Sequence, residues 1–155
     1  MNNIFEAILN KDIVLLSQML NSGCDVNIQD EDGRTPLMEA VIDNNVEIVK
    51  LLIHHGADVN QQDFLGETSA LHFAAQNNSS ELVGILLENQ VEVDLEDLNG
   101  NTPLSDAVFN SRGEGNVIKL LLLHGGDKNK KNKHGVSPLN LADSIANYNI
   151  IKYFK

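Results

Sequence analysis

The apolar positions of this chain fall in short bursts at helical spacing. Over Val46–His55, the residues Ile48, Val49, Leu51, Leu52 and Ile53 form one broad apolar face, which predicts an amphipathic helix. Gly56 follows directly and suits the left-handed backbone that often closes a helix. A shorter helix is predicted over about Pro36–Asn44. Thr35 stands where a side chain can accept from its free amides, and Pro36 fills the first position, where an amide hydrogen has no partner to lose. A further helix begins directly at Ile4–Leu9. The longest apolar stretch, Val117–Leu123, is interrupted by Lys119 and is far shorter than the roughly 20 residues that cross a bilayer.

The pattern repeats. Asp30-Glu31-Asp32-Gly33-Arg34-Thr35-Pro36-Leu37 returns as Asp63-Phe64-Leu65-Gly66-Glu67-Thr68 and as Asp97-Leu98-Asn99-Gly100-Asn101-Thr102-Pro103-Leu104, with a weaker copy at Asn132-Lys133-His134-Gly135-Val136-Ser137-Pro138-Leu139. Gly33, Gly66, Gly100 and Gly135 are 33, 34 and 35 residues apart. A second motif drifts in step: Gly23-Cys24-Asp25-Val26-Asn27, Gly56-Ala57-Asp58-Val59-Asn60, Gln90-Val91-Glu92-Val93-Asp94 and Gly125-Gly126-Asp127-Lys128-Asn129. Asp-x-x-Gly supplies a turn, the Thr-Pro pair opens a short helix, and a second helix ends at Gly. One such unit cannot bury its own apolar face, whereas stacked units bury all of them in one continuous core.

With these motifs the chain resembles the ankyrin-repeat family, which has a period of about 33 and the signature T-P-L-H-x-A. Thr35-Pro36-Leu37-Met38-Glu39-Ala40 and Thr102-Pro103-Leu104-Ser105-Asp106-Ala107 match it except at the His, and Leu71-His72-Phe73-Ala74 supplies that His. The resemblance implies an all-α solenoid of helix-turn-helix units joined by β-hairpin-like turns. It covers the whole chain as one domain of five units: an N-terminal cap at about 1–29, units at about 30–62, 63–96 and 97–131, and a C-terminal cap at 132–155. The last unit is expected to stop inside its second helix, over Ile150–Lys155, with polar Asn147, Asn149, Lys152 and Lys155 facing water. With two caps, the stack reads as complete.

Three departures from the repeat carry expectations. The third unit replaces Pro with Ser69-Ala70 and gains one residue before Leu71, which predicts a looser approach to its first helix. The same unit has Gln90 where the others have Gly, which predicts a different end to its second helix. The fourth gains two residues within Phe109–Asn116. Insertions in repeat arrays fall in loops, and this one is open to two readings, a binding face or a tolerated insertion.

Charge narrows the function. The net charge is −11. Residues 1–111 hold 19 acids and 3 bases, and residues 112–155 hold 3 acids and 8 bases. Such acidity repels phosphate backbones and argues against nucleic acid as a partner, and it is open to two readings, steering of a basic protein or solubility alone. The opening Met1-Asn2-Asn3-Ile4-Phe5-Glu6 carries no basic or small-residue signature of a secretory leader. The single Cys24 excludes an internal disulfide and a Cys-based zinc site, and reads as an inert buried thiol of a cytoplasmic protein.

Catalytic and cofactor chemistry find no anchor, so no catalytic, cofactor or metal residue is assigned. Gly113-Glu114-Gly115 lacks the strand and third glycine of a phosphate loop. His54, His55 and His124 follow the repeat period rather than a metal-ligand spacing. In the family resembled, the His at the position of His72 ties neighbouring turns together. Asn60, after Asp58-Val59, resembles family asparagines that some cells hydroxylate. The paired carboxylates lie on solvated turns, which leaves an enzyme as a remote alternative.

The resemblance implies protein binding through turn tips and the exposed side of the first helices. Repeat alignment gives Glu31, Asp32, Arg34, Ile42 and Asp43 in the second unit; Phe64, Leu65, Glu67, Gln76 and Asn77 in the third; Leu98, Asn99, Asn101, Phe109 and Asn110 in the fourth; and Lys133, His134, Val136, Ser144 and Ile145 in the fifth. Phe64, Leu65, Leu98 and Phe109 are apolar where solvent is expected, as an interface centre requires. The alternative is that Phe64 and Leu65 fold back on their own turn. The run from Lys128 to Lys133 makes the far end basic. The expected function is a non-catalytic binding protein, monomeric when free. The specific reading is an immunity- or antitoxin-like inhibitor of a basic toxin or enzyme, and the alternative is an adaptor or effector that engages a host or cellular protein.

Overall fold

The computed structural model describes residues 3–145 and 147–155. Residues 1 and 2, part of the segment read for a leader, and residue 146 in the last unit lie outside the described residues.

Each turn of the repeat folds into a pair of short helices. In chain order these are α1 (Ile4–Leu9), α2 (Ile13–Asn21), α3 (Pro36–Ile42), α4 (Val46–His54), α5 (Ala70–Gln76), α6 (Ser80–Leu87), α7 (Pro103–Phe109), α8 (Asn116–Leu123) and α9 (Pro138–Ser144), followed by a 3-10 helix at Ile151–Phe154. The described residues contain no extended sheet, only an isolated bridge between Gln62 and Ser69. The odd-numbered helices α1, α3, α5, α7 and α9 pack successively in one row, and α4, α6, α8 and the 3-10 helix form a second row behind them.

Small residues set the spacing of the first row. Ala7, Ala40, Ala74, Ala107 and Ala142 occupy one repeat position, and all are buried. A methyl group at that position lets neighbouring helices approach closely. Leu16, Leu37, Ile48, Leu52, Leu71, Leu82, Leu86, Leu104, Ile118 and Leu121 fill the space between rows in a single connected core. Each such burial contributes about 1.5–3 kcal/mol. Cys24 packs against this core but is only half-buried, less enclosed than its expected role as a buried thiol.

Caps define where the helices begin. Thr35, Ser69 and Ser137 accept the amide hydrogens of Met38, His72 and Asn140, and Pro stands in the first turn of α3, α7 and α9. Thr102 breaks the pattern. Its hydroxyl is buried without a partner, and the Ser105 amide donates to the Thr102 carbonyl instead.

The third unit's approach is tighter than the sequence suggests. Ser69 is fully buried and forms a reciprocal cap with His72. The extra residue is absorbed one step earlier, where Glu67 adopts φ +52° and the turn closes from the Asp63 amide to the Thr68 carbonyl at 3.1 Å. The different end to the second helix is present. Gln90 takes φ +59°, near the +85° of the matching Gly56, and α6 stops at Leu87, with Glu88 at its cap.

The last unit departs from the expected helix. Residues 147–150 form no regular element, and the 3-10 turn replaces an α-helix. The two-residue insertion of the fourth unit explains what that segment grips. The Tyr153 hydroxyl donates to the Gly113 carbonyl at 3.0 Å. Its ring lies so close to Gly115 that a Cβ there would stand 2.5 Å from ring carbons. Lys119 and Lys152 sit 4.9 and 5.0 Å from the ring centroid, within range of cation–π attraction. Asn147, Asn149, Lys152 and Lys155 face solvent.

His72 links adjacent units. Its Nδ1 accepts from the Ser69 amide at 3.2 Å, so Nε2 carries the proton and donates to the Asn101 carbonyl at 3.1 Å. Burial lowers its pKa below 6.5. The unfolded chain therefore binds the proton more readily, and the stability held above pH 6.5 is lost as pH falls from there toward the lowered folded value. His72→Ala is expected to cost about 2–3 kcal/mol in urea unfolding at pH 8 by leaving a cavity and an unpaired carbonyl. That cost should shrink as pH falls below 6.5. Gln90→Gly should raise stability by about 0.5–1 kcal/mol by relieving left-handed strain.

Candidate functional site

The expected surface is built on turns that hold their own shape. Asp30 Oδ1 accepts from the amides of Asp32 and Arg34 at 3.0 and 2.8 Å. Asp63, Asp97 and Asn132 do the same work in their turns. Adjacent tips are joined by backbone bonds: Phe64 N–H to the Asp32 carbonyl at 2.9 Å, Leu98 N–H to Gly66 at 2.7 Å, and Lys133 N–H to Asn99 at 2.9 Å. The tips thus form a continuous row with fixed spacing.

The framework uses several of the expected residues. Arg34 pairs with Glu39 at 3.3 Å and lies over the Phe73 ring. Asn77 donates to the carbonyls of Val41 and Ile42. Asn110 donates to the Asp106 carbonyl, and Asn101 bonds with Asp97 and Asn132. Gln76 donates to Asp106 Oδ2 at 3.1 Å. Asp43 pairs with Lys11 at 3.0 Å. The basic end is also engaged: Lys128 donates to the Phe154 carbonyl, Lys130 pairs with Glu96 at 2.9 Å, and Lys133 donates to the Leu98 carbonyl at 2.6 Å.

Glu31, Asp32, Glu67, Asn99 and His134 remain exposed. So do the apolar Phe64, Leu65, Leu98 and Phe109, at 67%, 61%, 49% and 73%. Phe64 partly follows the fold-back reading, but across units: its ring lies against Gly33 of the preceding turn while most of it stays open.

Two clefts divide this surface. The first, of about 650 Å³, is lined by Phe5, Ile8, Leu9 and Ile42 together with Glu6, Asp30, Glu39 and Asp43. The second, of about 390 Å³, is lined by Phe109, His134, Val136 and Leu141 with Asn101, Ser105 and Asp106. Of the expected residues, Ile42 and Asp43 meet in the first cleft, and Asn101, Phe109, His134 and Val136 meet in the second. Phe64, Leu65 and Leu98 line neither and stand on the turn row. Of the four apolar residues expected at one centre, Phe109 therefore lies in the second cleft and the other three on the turn row.

Sequence reasoning missed the contribution of α1. Leu9 is 81% exposed at the first cleft, and it stands 33 residues before Ile42, the same repeat position. The lack of a Thr-Pro-Leu opening in the first unit hid that register.

Asp106 is the most perturbed carboxyl of the second cleft. Burial pushes its pKa up to about 7, against the opposing bond from Gln76, and Asp97 adds to the rise. Among the described residues no three metal-ligating side chains cluster. His55 and His124 instead bond the carbonyls of Leu51 and Leu120 through Nδ1. Asn60 bridges to the next turn, accepting from the Glu92 amide at 2.7 Å. No helix among the described residues is long and apolar enough to cross a membrane.

Comparison with known proteins agrees with this architecture. Residues 4–63 and 62–132 match the family model for ankyrin repeats in three copies. The chain is 34% identical over 141 residues to serine/threonine-protein kinase 12 of Arabidopsis thaliana, covering 90% of this chain and 22% of the kinase. It is 34% identical over 145 residues to the ankyrin repeat protein FPV031 of Fowlpox virus (strain NVSL), covering 90% of this chain and 42% of that protein. Human 2-5A-dependent ribonuclease is 40% identical over 70 residues, covering 44% of this chain and 9% of the ribonuclease. The chain thus spans less than half the length of these relatives.

Because the folded pKa of Asp106 lies above its ordinary 3.8, its contribution to stability is full below pH ~4 and is lost as pH rises to about 7. Asp106→Asn should therefore stabilise the protein at pH 8 by at least ~1 kcal/mol, with the gain vanishing toward pH 4, as chemical denaturation at the two pH values will show. In the wild type, the Asp106 carboxyl should titrate near 7 by carbon NMR.

Proposed function

We propose that this chain, which belongs to the ankyrin-repeat family, is a protein-binding module that uses the turn row and the exposed side of its first helices, with no catalysis of its own. The observation that carries the reading is the exposure of Leu9, Phe64, Leu65, Leu98 and Phe109 on one repeat-defined surface while the core behind is closed. Large apolar side chains held open on a rigid frame are what interface hot spots need. The frame is rigid because its polar residues are already bonded within and between turns.

The specific reading is an inhibitor of the immunity or antitoxin kind, acting in the cytoplasm and covering a functional surface of a basic toxin or enzyme. Two features support it. The chain carries −11 overall, and residues 1–111 hold 19 acids against 3 bases. The field met by a partner is then predominantly acidic, which speeds capture of a basic protein and orients it. The kinase and ribonuclease are matched over small shares of their length, so their named activities are not carried over to this chain.

An adaptor that relied on the apolar patches alone would bind with little dependence on salt, which separates the two readings. Phe64→Ala with Phe109→Ala should weaken a captured partner by at least ~2 kcal/mol while the thermal transition stays cooperative. For the inhibitor reading, partner affinity should also fall steeply between low and physiological salt. Unchanged affinity in the double variant would place the interface elsewhere, and salt-independent binding would favour the adaptor.

A further inference from the structure

The first cleft combines an apolar lining with an acidic rim. Its apolar lining is Phe5, Ile8, Leu9 and Ile42, at the seam between α1 and α3. Its rim carries four carboxylates, Glu6, Asp30, Glu39 and Asp43, and no basic side chain lines it. Lys11 and Arg34 stand nearby, each bound to one rim carboxylate, Asp43 and Glu39 respectively. Asp30 is turned toward its own turn amides. Glu6 forms no ion pair among the described residues and is exposed. Leu9, at 81% exposure, is the most open large apolar side chain of the described residues and lies at this mouth.

We infer that this cleft receives a short amphipathic segment of a partner protein, one large aliphatic or aromatic side chain seated on Leu9 and Ile42 with lysines or arginines on either side. The inference rests on the protein-binding reading and names the occupant of one part of that surface. The apolar lining supplies the anchor site, and charge complementarity selects the flanks. An acidic segment would meet the rim with like charge. A bare apolar segment would leave Glu6 facing it with no counter-ion. The cleft opens beside the turn row, because Asp30 belongs to both, so a segment seated here can continue across the tips of the following units.

The test uses the intact isotope-labelled protein and two short synthetic peptides. One carries a single Trp flanked by lysines, and the other has glutamates in their place. The basic peptide should shift amide signals of residues 5–9 and 39–43 selectively, and the acidic one should not. Leu9→Ser should weaken the basic peptide about 10-fold or more. Glu6→Gln should weaken it less and flatten its salt dependence. Both sites are exposed, so both variants keep the fold. Equal binding of the two peptides, shifts centred elsewhere, no selective shift at millimolar peptide, or an unchanged affinity for Leu9→Ser would each overturn the inference. A native partner separates the two levels. Loss of affinity in Phe109→Ala but not in Leu9→Ser would sink this inference and leave the broader reading standing, whereas loss in neither would sink both.

Discussion

None of these helices could persist alone. They run from six to nine residues, below the roughly 12–15 at which an isolated helix becomes even marginal in water. What holds them is the burial of each unit's apolar face against the next, through the alanine column of the inner row and the leucine layer behind it. Everything else in the structure is secondary to that lateral burial. Caps decide where a helix begins, and turn carboxylates decide how the tips are spaced. His72 and Asn60 add polar stitches between units that burial has already placed side by side.

The same constraint explains what the amino-acid sequence makes legible. The period and the two motifs point to the stacked helix pairs because stacking is the only way such units can close a core. Helix starts at Ile4, Pro36 and Val46 follow from capping chemistry that lies within a few residues. The misread places are those where a partner distant in sequence intervenes. Ser69 makes a firm start without proline because His72 reciprocates its bond. Tyr153 draws the last segment onto the inserted loop, and a short apolar run that reads as an α-helix becomes a 3-10 turn. Thr102 has the right identity for a cap, yet its hydroxyl goes unused because the local turn tightens.

The surface is less legible than the fold, for a physical reason. Repeat alignment finds which positions point outward but cannot say which polar ones the framework consumes. Asn77, Asn101 and Asn110 look free in the alignment and are structural bonds in space. The lysine run reads as free side chains, yet Lys128 and Lys133 reach back to carbonyls and Lys130 to a carboxylate of the chain, so their positions are fixed though their charge remains. Leu9 goes the other way. Its unit lacks the opening motif, so its register with Ile42 and Phe109 emerges only when the helices are seen side by side.

The grip of Tyr153 on the fourth unit's loop changes how the fourth and fifth units can loosen. In a simple linear stack each unit opens with reference only to its nearest neighbours. Here the final turn spans back to Gly113 and Gly115, immediately before α8 begins, and α8 has no side-chain cap of its own. Release of the last residues therefore also uncovers the start of the preceding helix. The fourth and fifth units share one opening event, so the cooperative segment there is longer than a single repeat.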